Sequence, residues 1–210
     1  MHSDAATSRS QLLDAAEALF ARKGFEATTV KEIGRATGLN PALIYYYFAG
    51  KEELYKAVLE RMVSSLVTRG GAALDLAGAP EEAIRALVRA QVEFLLGHPH
   101  LPRLLFRELV DHDAEHAQEV ILQLAAGLFD RLCKLIKQGQ ASGVFRKELE
   151  PRFAAVSTVS QVAYFILARP AIGVFFGRGP GGVPDETVRE FGRHAGDFAV
   201  HALTMKEQPA

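Results

Sequence analysis

The sequence predicts an all-α chain of about nine helices. They divide into an N-terminal three-helix unit, residues 1–50, and a larger helical domain, residues 51–210, with a helix over 51–69 connecting the two. Three observations carry that prediction. Apolar residues recur at three- and four-residue spacing through most of the 210 positions. Capping residues and prolines stand at the heads of those stretches, and glycines at their ends. No stretch alternates apolar and polar residues as a half-buried strand does. At 49% hydrophobic, the chain has ample material for a core in one or two domains.

Residues 1–7 read as a loose polar tail. Ser8 and Gln11 form a capping box for a first helix to about Lys23, with Leu12, Ala16, Leu19 and Phe20 as its stripe. Gly24 ends it. Thr29 and Glu32 repeat the capping box for a second helix, whose face holds Val30, Ile33, Gly34 and Thr37. Gly38 suits the left-handed residue that ends it. Asn40 caps a third helix and Pro41 fits its first position, where no N–H is needed. Ile44, Tyr47 and Phe48 can pack back on the unit. Pro41, Ala42, Leu43, Tyr45 and Tyr46 are left exposed. Two helices around a short glycine turn form a helix-turn-helix, whose second helix can enter a DNA major groove. Lys51, opening the next helix, can offer its charge and backbone N–H to a phosphate. Taken alone, a helix–glycine–helix corner with a buried tyrosine run would also suit any small helical domain.

A fourth helix runs from Lys51 to about Arg69 on Leu54, Val58, Met62 and Leu66, closed by Gly70 and Gly71. A fifth starts at Pro80 or Glu81 and reaches Leu96, with Ala83, Leu87, Ala90 and Phe94 on one face. Gly97 and Pro99 break it. Pro102 opens a sixth, ending near Val110. A seventh spans about Ala114–Ser142 on Val120, Leu124, Phe129, Leu132 and Ile136. An eighth begins near Glu150–Pro151, reaches at least Leu167, and is apolar nearly all round. Such a helix buries more than one side. GRGPGGVP, residues 177–184, is a loop by composition. A ninth helix runs from Pro184 or Asp185 to about Lys206, with Val188, Phe191, Ala195, Phe198 and Ala202 as its stripe.

The run from Gly38 to Leu54, GLNPALIYYYFAGKEEL, closely resembles the DNA-binding signature of the tetracycline-repressor family. Its place near the N-terminus and a chain near 200 residues are similar too. Detailed resemblance covers about residues 8–60; beyond that only the helical pattern is similar. The resemblance implies that Thr29 and Lys31 touch the DNA backbone or groove edge. It implies recognition-helix positions for Pro41, Ala42, Leu43, Tyr45, Tyr46 and Tyr47, and a phosphate-binding lysine at Lys51. Two residues depart from the pattern. Gly50 stands where Ser or Asn is common, which weakens that helix start. Leu43 stands where a small or polar residue is usual, so it would meet a thymine methyl. The resemblance further implies a cytoplasmic regulator, expected to be a repressor, bound as a homodimer to palindromic double-stranded DNA and released by a small-molecule effector, with no cofactor.

Composition bounds these expectations. Net charge is −1 and the pI about 6.7, which argues against non-specific coating of nucleic acid but leaves a local positive footprint open. Residues 1–60 hold seven Lys and Arg against eight acids. Cys133 is the one cysteine, so no internal disulfide forms; it reads as a small buried hydrophobe. The opening residues do not read as a signal peptide. Phe153–Phe176, the longest apolar run, is broken by Gln161, Arg169 and Pro170, so no membrane partner is expected.

Nothing in the motifs argues for an enzyme. Gly177–Gly182 matches GxGxxG, but no strand precedes it and Pro180 sits inside it. Asp111, His112 and His116 could serve an all-helical enzyme or a metal, yet they span a helix junction and lack further named ligands. No metal is expected. The last two helices suggest a two-fold dimer through Val159, Val162, Ile166, Phe191, Ala195, Phe198 and Ala202; burial of both faces inside one subunit is the alternative. Phe94, Phe106, Leu109, Phe129 and Phe165 supply bulk for an apolar pocket, or for plain core. The family resemblance favours the pocket. The rival readings are a helical ligand-binding or scaffold dimer that reads no DNA, and an all-helical enzyme.

Overall fold

A computed structural model describes residues 2–179 and 181–204, with side chains from residue 6 onward. Eleven α-helices and one π-helical turn carry the chain, and no strand occurs among the described residues. They are α1 (His2–Lys23), α2 (Val30–Thr37), α3 (Ala42–Phe48), α4 (Lys51–Leu76), α5 (Pro80–Gly97) and α6 (His100–Asp111). Then come α7 (Gln118–Leu124), the π turn (Ala125–Phe129), α8 (Asp130–Ala141), α9 (Pro151–Leu167), α10 (Arg169–Phe175) and α11 (Asp185–Thr204). Since α7, the π turn and α8 run on without a break, the chain has ten rods rather than the nine expected.

These helices form two compact units. The first holds the chain up to Ser64 together with His100–Gln123, and the second holds Ser65–Pro99 with the chain from Leu124 onward. The boundary expected at residue 50 therefore falls within α4, and the first unit also takes in α6 and α7. In the first unit α1 packs on α2 and α6. Leu12, Phe20, Ile33, Ile44, Leu54 and Leu59 fill its core with no exposed surface. In the second unit α11 packs chiefly on α5 and α9, and α8 packs on α9. Ile84, Val88, Leu132, Ile136, Val162 and Val188 are fully buried there.

Several boundaries differ from expectation. The helix expected from Ser8 already begins at His2. Gly70 and Gly71, expected to close α4, lie buried inside it, and the helix continues to Leu76. A Cβ on Gly70 would come within 2.8 Å of a Leu128 methyl, and Arg131 donates to the Gly71 carbonyl and pairs with Asp75. Close packing decides those two glycines, against their weak helix propensity. The expected seventh helix starts four residues late, because 112–117 form turns, and holds the π turn. The eighth helix, expected to reach at least Leu167, ends there, and a separate helix, α10, follows, bent by 82° from α9. Its Arg169 donates to the Val183 carbonyl and pairs with Asp185 at 2.9 Å. No single helix among the described residues is long and apolar enough to cross a membrane. The expected end of the last helix at Lys206 lies outside the described residues.

Candidate nucleic-acid interface

The turn between α2 and α3 is built from local chemistry. Thr29 is extended, at φ −111° and ψ 148°, and its hydroxyl accepts from the Glu32 N–H at 3.2 Å. The Glu32 carboxylate accepts from the Thr29 N–H at 3.0 Å, closing the expected capping box. Glu32 also pairs with Lys23. Lys23 and then the Thr29 donors hold its carboxyl down at about 2. Gly38 ends α2 in the left-handed region at φ 70°. Asn40 accepts from the Ala42 N–H at 2.9 Å, while Pro41 is already helical at φ −54° and ψ −24°. Gly34 lets the two helices close: a Cβ there would stand 2.6 Å from the Pro41 ring.

This corner sorts α3 into two faces. Ile44 and Phe48 are buried, Tyr47 is half-buried, and Tyr45 and Tyr46 are 61% and 78% exposed. Ala42 is exposed, and Pro41 and Leu43 are partly so. The tyrosine run is therefore a surface rather than core. The second helix of a helix-turn-helix reads bases through exposed side chains, and Tyr45 and Tyr46 are uncovered on this one. Thr29 and Lys31 are exposed at the start of α2.

Lys51 is more constrained than the sequence implied. Its ammonium donates to the Phe25 carbonyl at 3.0 Å and lies 4.1 Å from the Phe25 ring centroid. An ammonium has three donors, so a phosphate oxygen can still be met by the others. The sequence reading missed Arg9, whose guanidinium stacks 5.0 Å over Phe48 and lines a shallow groove of about 390 Å³ with Tyr45, Tyr46 and Tyr47. Only the fold brings it there from α1.

Ion pairs engage both signs of charge in residues 1–60. Of the eight acids there, Asp14 and Glu17 pair with Arg61, Glu32 with Lys23, and Glu52 and Glu53 with Lys56. Lys31 and Arg35 are exposed on α2 with no acid paired to them among the described residues.

The other expected sites are rearranged. Phe106 and Leu109, in the first unit, are 52% and 53% exposed, while Phe94, Phe129 and Phe165 belong to the second unit. Phe94 is buried, stacked on His98 at 4.2 Å, and Phe129 is half-buried. Val162, Ile166 and Ala195, expected at a dimer contact, are buried within the subunit by α5 and its neighbours. Val159 is half-buried and its carbonyl accepts from Gln91. Phe198 and Ala202 are exposed, and Phe191 stacks on Phe165 at 4.0 Å. Exposed large apolar side chains of the second unit include Phe153, Val156 and Tyr164 of α9, Val174 and Phe175 of α10 and Phe198 of α11. Tyr164, Phe165, Ile172, Phe176, Phe191 and His194 line an open groove of about 570 Å³.

Of the supposed acid–base cluster, His116 is bonded to Glu108 and its ring meets that of His112 at 5.2 Å. Cys133 is buried, and burial raises its thiol pKa.

Comparison with known proteins gives a consistent picture. Residues 12–58 match the family model for bacterial regulatory proteins of the tetR family, and residues 80–195 match that for the tetracyclin repressor-like C-terminal domain. The chain is 33% identical over 144 residues to the HTH-type transcriptional repressor NicS of Pseudomonas putida, covering 67% of each. It is 27% identical over 149 residues to the HTH-type transcriptional repressor KstR2 of Mycolicibacterium smegmatis, covering 70% of this chain and 72% of that one. Among solved structures, the ketosteroid transcriptional regulator KstR2 of Mycobacterium tuberculosis superposes with a TM-score of 0.68 at 25% identity, over 95% of this chain and 96% of that one.

Proposed function

Because this chain belongs to the tetR family of bacterial regulatory proteins, we propose that it is a sequence-specific transcriptional repressor, released from DNA by a small apolar molecule. The observation that carries this reading is the exposed Tyr45–Tyr46 face on a helix capped and positioned as a recognition helix. In this reading Tyr45, Tyr46, Ala42 and Leu43 meet base edges, while Thr29, Lys31 and Lys51 meet the backbone. One such helix reads too few bases, so two subunits act together on a palindrome, with half-sites about 35 Å apart. The exposed face of α9, α10 and α11 is the surface for the second copy. The setting is the bacterial cytoplasm, where the operator is.

The effector binds in the second unit and favours a conformation whose heads no longer match the half-sites. It must bind that conformation better, or it shifts nothing. By linkage, DNA weakens effector binding by the same factor. The name of KstR2 makes a flat apolar ketosteroid a reasonable first probe. The test is selection of duplexes from a random pool, repeated with Tyr46→Ala. Enrichment of an inverted repeat by the native protein, lost in the variant, supports the reading. Equal enrichment by both removes Tyr46 from it.

A further inference from the structure

Glu108 is a carboxylate with no exposed surface in the first unit. Its Oε2 accepts from the Tyr55 hydroxyl at 3.1 Å. Its Oε1 accepts from the His116 backbone N–H at 2.7 Å and from His116 Nδ1 at 3.1 Å. Its main-chain carbonyl accepts from the His112 and Ala114 N–H groups at 3.2 and 3.0 Å. The turn that brings those donors passes through Asp113 and Ala114 at φ 48° and 65°. Non-glycine residues hold such angles only where their surroundings over-determine them. A buried carboxylate is tolerated only with its acceptor positions filled, so Glu108, Tyr55 and His116 stand or fall as a set.

What that set holds is a ring. Tyr55 and His116 pack on Phe25, with centroids 5.0 and 4.7 Å away. Phe25 in turn holds the Lys51 ammonium by its ring and its carbonyl. We infer that Glu108 is a positioning residue for DNA binding: through Tyr55 and His116 it fixes Phe25, and Phe25 holds Lys51 ready for a phosphate. This rests on the reading of the chain as a DNA-binding regulator. A lysine has four side-chain bonds to immobilise when it binds, and an ammonium held in advance loses less freedom. Glu108→Gln keeps the size of the side chain but removes its charge, and its NH₂ would have to donate to the Tyr55 hydroxyl, reversing that hydrogen bond.

The test is a double-mutant cycle on the full-length protein, using the duplex that the native protein enriches from a random pool. Binding is followed by anisotropy across a salt series, with thermal melts to establish the folded fraction. Lys51→Ala should weaken binding by about three- to tenfold and lower the salt slope by about 0.9. Glu108→Gln should move both quantities the same way by a smaller amount. It should add nothing in the Lys51→Ala background, because both act through one contact. Phe25→Leu should repeat that pattern, and serves if Glu108→Gln does not fold. Binding by folded Glu108→Gln at native strength and slope overturns the inference, as does equal weakening with and without Lys51. If the native protein enriches no duplex, the DNA-binding reading itself fails; enrichment with an additive cycle sinks this inference alone.

Discussion

Tyr46 and Ile44 stand two residues apart on one seven-residue helix, yet one is 78% exposed and the other fully buried. That difference lets function and stability be separated by mutation. Tyr46→Ala should weaken specific duplex binding about tenfold, while the melting curve moves by less than about 0.5 kcal/mol, as for a mostly exposed ring that meets the Tyr47 ring edge-on. A parallel loss of stability would show that the ring packs on the protein instead. Glu32 gives a prediction in pH. Its carboxyl is lowered from 4.5 to about 2 in the folded state, so its contribution is complete above about 4.5 and disappears as pH falls towards 2. Glu32→Gln should flatten the stability profile across that window, read by chemical denaturation; an unchanged slope would contradict the capping geometry. These residue-scale features were the most legible in the sequence. Thr29, Glu32, Gly38 and Asn40 act on groups within three residues of themselves, so their chemistry is visible without a fold. The Lys51–Phe25 and Arg9–Phe48 contacts were not visible, because each joins residues more than twenty apart.

At the scale of the element, a distant partner decides what a glycine means. Gly70 and Gly71 look like helix breakers, but in α4 they are sites of close approach for Leu128 and Arg131. Gly139 in α8 is similar: a Cβ there would lie 2.2 Å from the buried ring of Phe145. Gly139→Ala should therefore destabilise the protein by about 1–3 kcal/mol, despite gaining about 1 kcal/mol of helix propensity. Stabilisation on thermal melting would show that the ring can move aside. Gly71→Ala should cost less, since it meets only the end of the Arg131 side chain. The stripe of α11 was mis-assigned for the same reason. Its helical period was readable, but which side α5 would cover was not, so Ala195 went to the wrong face. If the exposed side of α11 holds the second copy, as proposed, Phe198→Glu should place a charge there and shift sedimentation towards a single subunit. Dimers that persist at micromolar concentration would move the interface elsewhere.

At the scale of the molecule, the all-helical class and the helix-turn-helix were legible, and the division of the chain was not. Residues 100–123 belong with the N-terminal unit although residues 65–99 of the second unit intervene. No composition shift marks that return, since α6 carries the same amphipathic pattern as its neighbours. The Glu108 set that anchors it is a buried polar cluster, invisible to a search for apolar stripes.

Repression of the proposed kind depends on two copies of α3 reading one duplex. The most direct measurement is duplex selection from a random pool followed by the mass of the protein–DNA complex in solution. An enriched inverted repeat, with half-sites about 35 Å apart and protein subunits bound in pairs, is the expected result. A pool that stays unenriched at low salt, or one subunit on an asymmetric site, would contradict it.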